Sequence, residues 1–195
     1  MTISVAGMLT RVATADDLPA ALAVWRAANA ARGRFPDERR VAAVTAKVHA
    51  PDALVVVAVD AGVVGMAVGV PARADDGDGE LIAGLCHVAM VFTRPDRWGR
   101  GVGGAVLRAL ARQAAARGYD RLQLWTGEAN VRAQRLYLRH GFAASGRVTE
   151  HAGQSIAHYT AGLPLAVRRP GGPPAVDGAV DDHARRHADQ EAEEA

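Results

Sequence analysis

One run of residues limits the architecture more than any other: Arg97-Trp98-Gly99-Arg100-Gly101-Val102-Gly103-Gly104. An apolar stretch, 85–92, precedes it, and Ala105-Val106-Leu107-Arg108-Ala109-Leu110 follows with the character of a helix. Strand, glycine-rich turn and helix start, in that order, bring unsatisfied backbone N–H groups and the positive end of a helix dipole to one spot. Glycines there let a ligand approach with no side chain in the way. The run predicts a phosphorylated ligand held at a helix start.

The rest of the chain supplies an α/β setting for it. Residues 8–13 read as a first strand, and Thr14-Ala15-Asp16-Asp17 offers caps for a helix over 18–30. Gly33 and Pro36 break that helix, and 37–48 reads as a second. The β-branched runs 54–59 and 63–70, joined by Asp60-Ala61-Gly62, carry a hairpin signal. Residues 71–80 read as an acidic loop, 85–93 as the central strand and 104–117 as a helix stopped by Gly118. A strand over 121–125, a helix over 130–140 and strands over 143–149 and 156–163 complete the order β-α-α-β-β-β-α-β-α-β-β.

Composition bounds the functional classes. The 195 residues suit one domain, here 1–163, followed by a tail, 164–195, whose Pro, Gly, Ala and charged residues carry too little apolar content to fold. The net charge of +2 divides into about +5 for the first segment and −3 for the second. A mildly cationic domain without an aromatic-studded basic patch suits an anionic ligand and gives no ground for nucleic-acid binding. No apolar run approaches the ~20 residues of a membrane span. The start, Met1-Thr2-Ile3-Ser4-Val5-Ala6, lacks the basic and long apolar regions of a secretory signal, so a cytoplasmic location is expected. A single cysteine, Cys86, excludes an internal disulfide framework.

Gly99-x-Gly101-x-x-Gly104 formally matches a dinucleotide fingerprint. It lies mid-chain after a hairpin, however, and Thr93-Arg94-Pro95-Asp96-Arg97-Trp98 separates it from the strand where a dinucleotide fold turns tightly. The arrangement instead resembles the GCN5-related N-acetyltransferase (GNAT) family. That family's signature is Gln or Arg, two residues, Gly, one residue, then Gly or Ala. Gly101 and Gly103 fill its glycine positions, while Trp98 stands where Gln or Arg is usual. Downstream, Asn130, Ala133, Tyr137 and Gly141-Phe142 match a second family pattern in full. The resemblance covers roughly residues 8–163 and implies a mixed central sheet flanked by helices.

The resemblance also implies the chemistry: transfer of an acetyl group from acetyl-CoA to a primary amine by direct attack in a ternary complex. Backbone N–H groups of Arg100, Gly101, Val102, Gly103 and Gly104 would hold the pyrophosphate, with Trp98 and Gly99 also among the cofactor-binding residues. Val91 occupies the place whose N–H polarises the thioester carbonyl, and Thr93 would pair its backbone with the pantetheine amides. Asn130 and Ala133 belong to the cofactor arm, although Asn130 is equally a helix cap. Tyr137 falls on the general-acid position. His87, eleven residues before Trp98, stands where several members carry a glutamate base. Primary amines have pKa values near 10.4, so a base is required at neutral pH. Regular strand alternation would put His87, Ala89, Val91 and Thr93 on one face.

Blander readings compete at each position. His87 could be a hydrogen-bonded core residue and Tyr137 a core aromatic; Arg97, Arg132 and Arg135 could reach phosphates or simply be solvated. Cys86 and His87 point to opposite faces of a regular strand and form no catalytic pair, which leaves a buried, inert thiol. His183 and His187 have a metal-ligand spacing without a third ligand, so no metal is expected. The acceptor site would be bounded by 32–37, by 71–80 and by the final hairpin near 147–154, with Asp75, Asp76, Asp78 and Glu80 available to a cationic amine. Small amines and protein N-termini both stay open as acceptors, the family is compatible with a homodimer, and a non-catalytic acyl-CoA-binding module is the rival reading.

Overall fold

The structure is a computed structural model in which residues 3–5, 7–75, 79–151 and 153–165 are described. Eight strands form one sheet: β1 (Ile3–Val5), β2 (Met8–Val12), β3 (Leu54–Val59), β4 (Val63–Arg73), β5 (Leu81–Thr93), β6 (Arg121–Gly127), β7 (Ala143–His151) and β8 (Gln154–Gly162). Their spatial order is β1-β2-β3-β4-β5-β6-β8-β7, antiparallel throughout except for the parallel pair β5·β6. Four helices flank it: α1 (Leu18–Ala30), α2 (Glu38–His49), α3 (Val102–Ala116) and α4 (Val131–Arg139). The crossover that a parallel pair requires is α3 itself.

Local chemistry sets the helix starts. The Asp17 carboxylate accepts from the Thr14 backbone N–H at 2.7 Å and pairs with Arg11 of β2, which holds its pKa well below the usual carboxylate range. Asp37 caps α2 by accepting from Arg40 N at 2.7 Å. Asn130 caps α4 by accepting from Ala133 N at 3.3 Å, so the capping reading of Asn130 is realised. Helix α3 differs: its N-cap is Gly101, which offers no side-chain cap.

The sheet is covered on both faces. Ala21, Leu22 and Trp25 of α1 and Val44 and Val48 of α2 pack on Val55, Val57, Met66 and Val68. Val106, Leu107 and Leu110 of α3 and Tyr137 of α4 pack on the other face, against Leu54, Val56, Cys86, Val88, Leu122 and Leu124. Leu54, Val56 and Ala58 go to one cluster and Val55 and Val57 to the other, the two-residue period of a strand buried on both sides.

The sequence reading needs four corrections. Strand β1 precedes the expected first element; three residues are too few to show a period. Pro71 does not end β4, which runs on to Arg73, because the ladder with β5 shifts register between Pro71 and Arg73 and spares the missing donor. Helix α3 begins at Val102, two residues before the predicted start. Leu165, beyond the expected domain end, packs against the core; 166–195, with the predicted tail and the His183/His187 pair, lies outside the described residues.

Candidate active site

Strands β5 and β6 pair side by side only at Leu85↔Arg121, Cys86↔Leu122 and His87↔Gln123. Both continue beyond that last rung, β5 to Thr93 and β6 to Gly127, without pairing to each other. The sheet therefore divides at its centre, and the β6-facing edge of residues 88–93 has no strand partner. A split of this kind exposes backbone donors and acceptors to a ligand that lies alongside.

A bulge decides what faces the split. Val68 pairs with Met90 and Gly69 with Val88, which leaves Ala89 as the extra residue in β5. Alternation inverts there. Cys86 and Val88 belong to the core beneath α3, Met90 and Phe92 lie toward α1 and α2, and Val91 returns to the α3 side. His87, Ala89, Val91 and Thr93 thus do not share one face, contrary to expectation. His87 and Ala89 open into a cleft on the α2 side, whereas Val91 packs toward α3 and the Thr93 hydroxyl lies beside Gly103.

On the α3 side stands the glycine run. Gly101 has φ +79°, a left-handed conformation that a side chain disfavours, and a Cβ placed there would meet no atom within 4 Å. The first intrahelical bond runs from Ala105 N to Gly101 O, so the N–H groups of Val102, Gly103 and Gly104 precede the helical ladder. Uncapped N–H groups beside open space fit a pyrophosphate. Gly104 is needed for another reason: a Cβ there would collide with the His140 ring after α4. Close helix packing, rather than ligand access, explains that glycine.

Three side chains around the run take roles the sequence left open. The Trp98 indole N–H donates to Thr93 O at 2.8 Å, so Trp98 fastens the turn to the end of β5. Arg132 of α4 lies over the Trp98 ring, 4.8 Å from its centroid, and Arg32 lies 5.9 Å from the same ring and 5.5 Å from that of Phe92. Arg97 is engaged by Asp60 at 2.5 Å. Arg32 and Arg132 thus lie beside Trp98 of the run, and burial together with the neighbouring Arg34 draws the pKa of Arg32 down.

Tyr137 is buried from α4 against Phe142 and Tyr159, with ring centroids 5.7 and 6.5 Å away. Burial pushes its phenol up to about 12, partly opposed by Arg32. Across the sheet, burial first, then Lys47 and His158, push His87 down to about 4, so its imidazole is neutral at physiological pH. The His158 ring lies between two partners: Nδ1 is 2.8 Å from the Ser145 hydroxyl oxygen, and Nε2 is 3.1 Å from Gln123 Oε1. Gln123 sits opposite His87 on the last β5·β6 rung. Cys86 is buried, its thiol raised by burial to about 11.

His87 opens into a cleft of about 840 Å³ bounded by α2, β4, β6 and the β7–β8 hairpin. Its walls meet the sequence-based bounds at Arg34, Arg73 and Gln154; of the four acids expected beside it, Asp75 and Glu80 do not line it, and Asp76 and Asp78 lie outside the described residues. The residues that reasoning missed are Arg40, Lys47, Gln123 and Trp125. Each lies on a half-polar helix face or strand, a pattern that marks solvent exposure just as readily. Among the described residues no group of three His, Cys, Asp or Glu side chains could hold a metal ion.

A mixed sheet split beside an uncapped helix start, with a buried phenol on one side and a cleft holding an imidazole on the other, is the α/β architecture that the fold and the site define. The sequence model of the Acetyltransferase (GNAT) family matches residues 20–142, and the chain belongs to that family. Membership carries acetyl transfer in general, and its proteins use acetyl-CoA. The fold is similar to that of a GCN5-related N-acetyltransferase from Kribbella flavida, with TM-score 0.64, 23% identity and coverage of 80% of this chain and 98% of that one. It is also similar to the ribosomal-protein-S18-alanine N-acetyltransferase from Escherichia coli, with TM-score 0.62, 17% identity and coverage of 86% and 99%. A third likeness is to paia N-acetyltransferase from Thermoplasma acidophilum in complex with coenzyme A, with TM-score 0.57, 13% identity and coverage of 77% and 97%. A search of curated proteins by sequence finds no match.

Proposed function

We propose that this chain transfers the acetyl group of acetyl-CoA to a primary amine by direct attack within a ternary complex. The observation that carries the reading is the position of the split: the cradle at α3 opens on one side of it and the His87 cleft on the other. Two substrates entering from opposite faces meet only there, which converts a bimolecular encounter into a local one.

In the reaction the amine nitrogen bonds to the acetyl carbon as the carbon–sulfur bond breaks. One proton leaves the nitrogen and one is needed at sulfur. His87, neutral and facing the cleft, accepts the first, directly or through water. Tyr137, protonated at neutral pH, gives its phenolic proton to the departing sulfur and regains one from solvent, as His87 returns the proton it accepted. Val91 lies on the unpaired edge, where a backbone N–H can polarise a carbonyl. The N–H groups of the Gly99–Gly104 run, with Arg32 and Arg132, hold the diphosphate.

Amine-dependent release of free thiol from acetyl-CoA tests this. Tyr137→Phe and His87→Ala are each expected to lower turnover, on the order of 10²–10⁴-fold, with CoA binding retained. Wild-type turnover in both folded variants would remove the two assignments. CoA binding with no thiol release from any amine would favour the non-catalytic module.

A further inference from the structure

The acceptor cleft has a charge pattern that bears on what the amine carries. Among the described residues, Arg34, Arg40, Lys47 and Arg73 line it, against two carboxylates, Asp52 and Glu150. None of the four cations forms an ion pair among the described residues. Arg34 instead reaches across to Gln154 Oε1 at 3.0 Å, which ties the α1–α2 connection to the β7–β8 hairpin. Arg73 donates to Gly79 O at 3.2 Å. Both guanidiniums are thereby oriented by neutral acceptors, with no carboxylate paired to either among the described residues.

Lys47, in the last turn of α2, lines the cleft together with His87. Although exposed as a whole residue, it has an ammonium desolvated within the cleft and repelled by Arg40, and its pKa is lowered for those two reasons. Its field is also felt at His87. Arg40 repels Lys47 from the same helix, Arg34 and Arg73 add positive charge to the cleft from the α1–α2 connection and from β4, and an anion seated among them relieves that repulsion. Guanidinium forks match carboxylate and phosphoryl oxygens in particular. A polyamine would meet net repulsion in the same place. The cleft, about 840 Å³, has the size of a small-molecule site.

We infer that the acceptor is a small primary amine bearing a carboxylate or phosphoryl group, held through that anion by Arg40, Lys47 and Arg73 with its amine directed at His87. The inference rests on the acetyl-transfer reading for the identity of the reacting group, and on the cleft alone for the anion. It has a consequence for the base. An anion beside Lys47 opposes the field that disfavours imidazolium, so His87 becomes more basic when the acceptor is bound.

Calorimetric titration of the CoA-loaded full chain with L-aspartate, O-phospho-L-serine and spermidine, alongside thiol-release assays with the same three amines, tests this. At least one acidic amine binds and spermidine does not; whichever acid binds identifies carboxylate or phosphoryl as the anion. Lys47→Gln and Arg40→Gln each raise its Kd and KM about 10- to 100-fold, the effect of one charged hydrogen bond. Neither variant changes CoA binding. The His87 ring, followed by NMR, titrates at higher pH with the acid bound. Failure of both acids to bind, spermidine turnover in their place, or affinities untouched by the two substitutions overturns the inference. An acid that binds in this way but releases no thiol leaves the cleft assignment standing and removes the transferase reading instead.

Discussion

At the scale of single residues, His87 and Tyr137 are displaced in opposite senses for the same reason: burial opposes charge. For His87 the folded pKa, about 4, lies below the ordinary 6.5, so between those values the unfolded chain binds the extra proton. Stability is therefore complete above pH 6.5 and falls as pH drops toward 4, by roughly 3 kcal/mol from this group. Calorimetric unfolding at pH 7 and pH 4.5 checks it. The acid-induced loss is expected to be smaller in His87→Gln, and equal losses in both proteins would contradict the burial of this imidazole. Tyr137, pushed to about 12, leaves no alkaline loss of turnover from its ionisation below pH 10. A decline at pH 8–9 that persists in Tyr137→Phe belongs to another group, and one abolished by that substitution would contradict the raised pKa.

At the scale of elements, two contacts position the site. The first is the close approach of α3 and α4 at Gly104, where there is no room for a methyl group beside the His140 ring. Gly104→Ala is expected to destabilise by about 1–3 kcal/mol, as overpacking does. His140→Ala should restore much of that loss in the double variant, since the two sites share one contact. Strictly additive losses in denaturant melts would show that the clash is not with His140. The Nδ1 atom of His140 is buried without a hydrogen-bond partner, so trimming this ring does not abandon one. The second contact is the Ala89 bulge, which sends His87 to the cleft beside α2 and Val91 to the α3 side. Without it the two would stand on one face, and one substrate would have to serve both.

At the scale of the molecule, the split sheet joins two binding regions across one backbone. A ligand held by the cradle stabilises only the folded chain, so CoA at a hundred times its Kd should contribute about 2.7 kcal/mol. For a protein of this size that corresponds to a Tm increase of roughly 5–10 °C. Thermal melts with CoA and, in parallel, NADH check this, and a Tm raised by NADH alone would return the glycine run to the dinucleotide reading. No described helix is long and apolar enough to cross a membrane.

The sequence by itself determined what is local. Asp37 and Asn130 mark helix starts, β-branched runs mark β3 and β4, and the glycines from Gly99 to Gly104 mark the cradle because a positive φ and uncapped N–H groups are properties of a few adjacent residues. Tyr137 was legible through its motif, and its burial on α4 follows from the amphipathic spacing. What only the tertiary structure decided is non-local. Ala89 becomes a bulge because β4 pairs on either side of it, and nothing in the run 85–93 shows which residue will be extra. The Trp98 indole fastens the turn to the end of β5 because Thr93 O lies within reach. Arg34, Arg40, Lys47 and Arg73 are separate solvated cations in the sequence. Packing α2 and the hairpin over the split makes them one field, since electrostatic energy depends on distance in space and not along the chain.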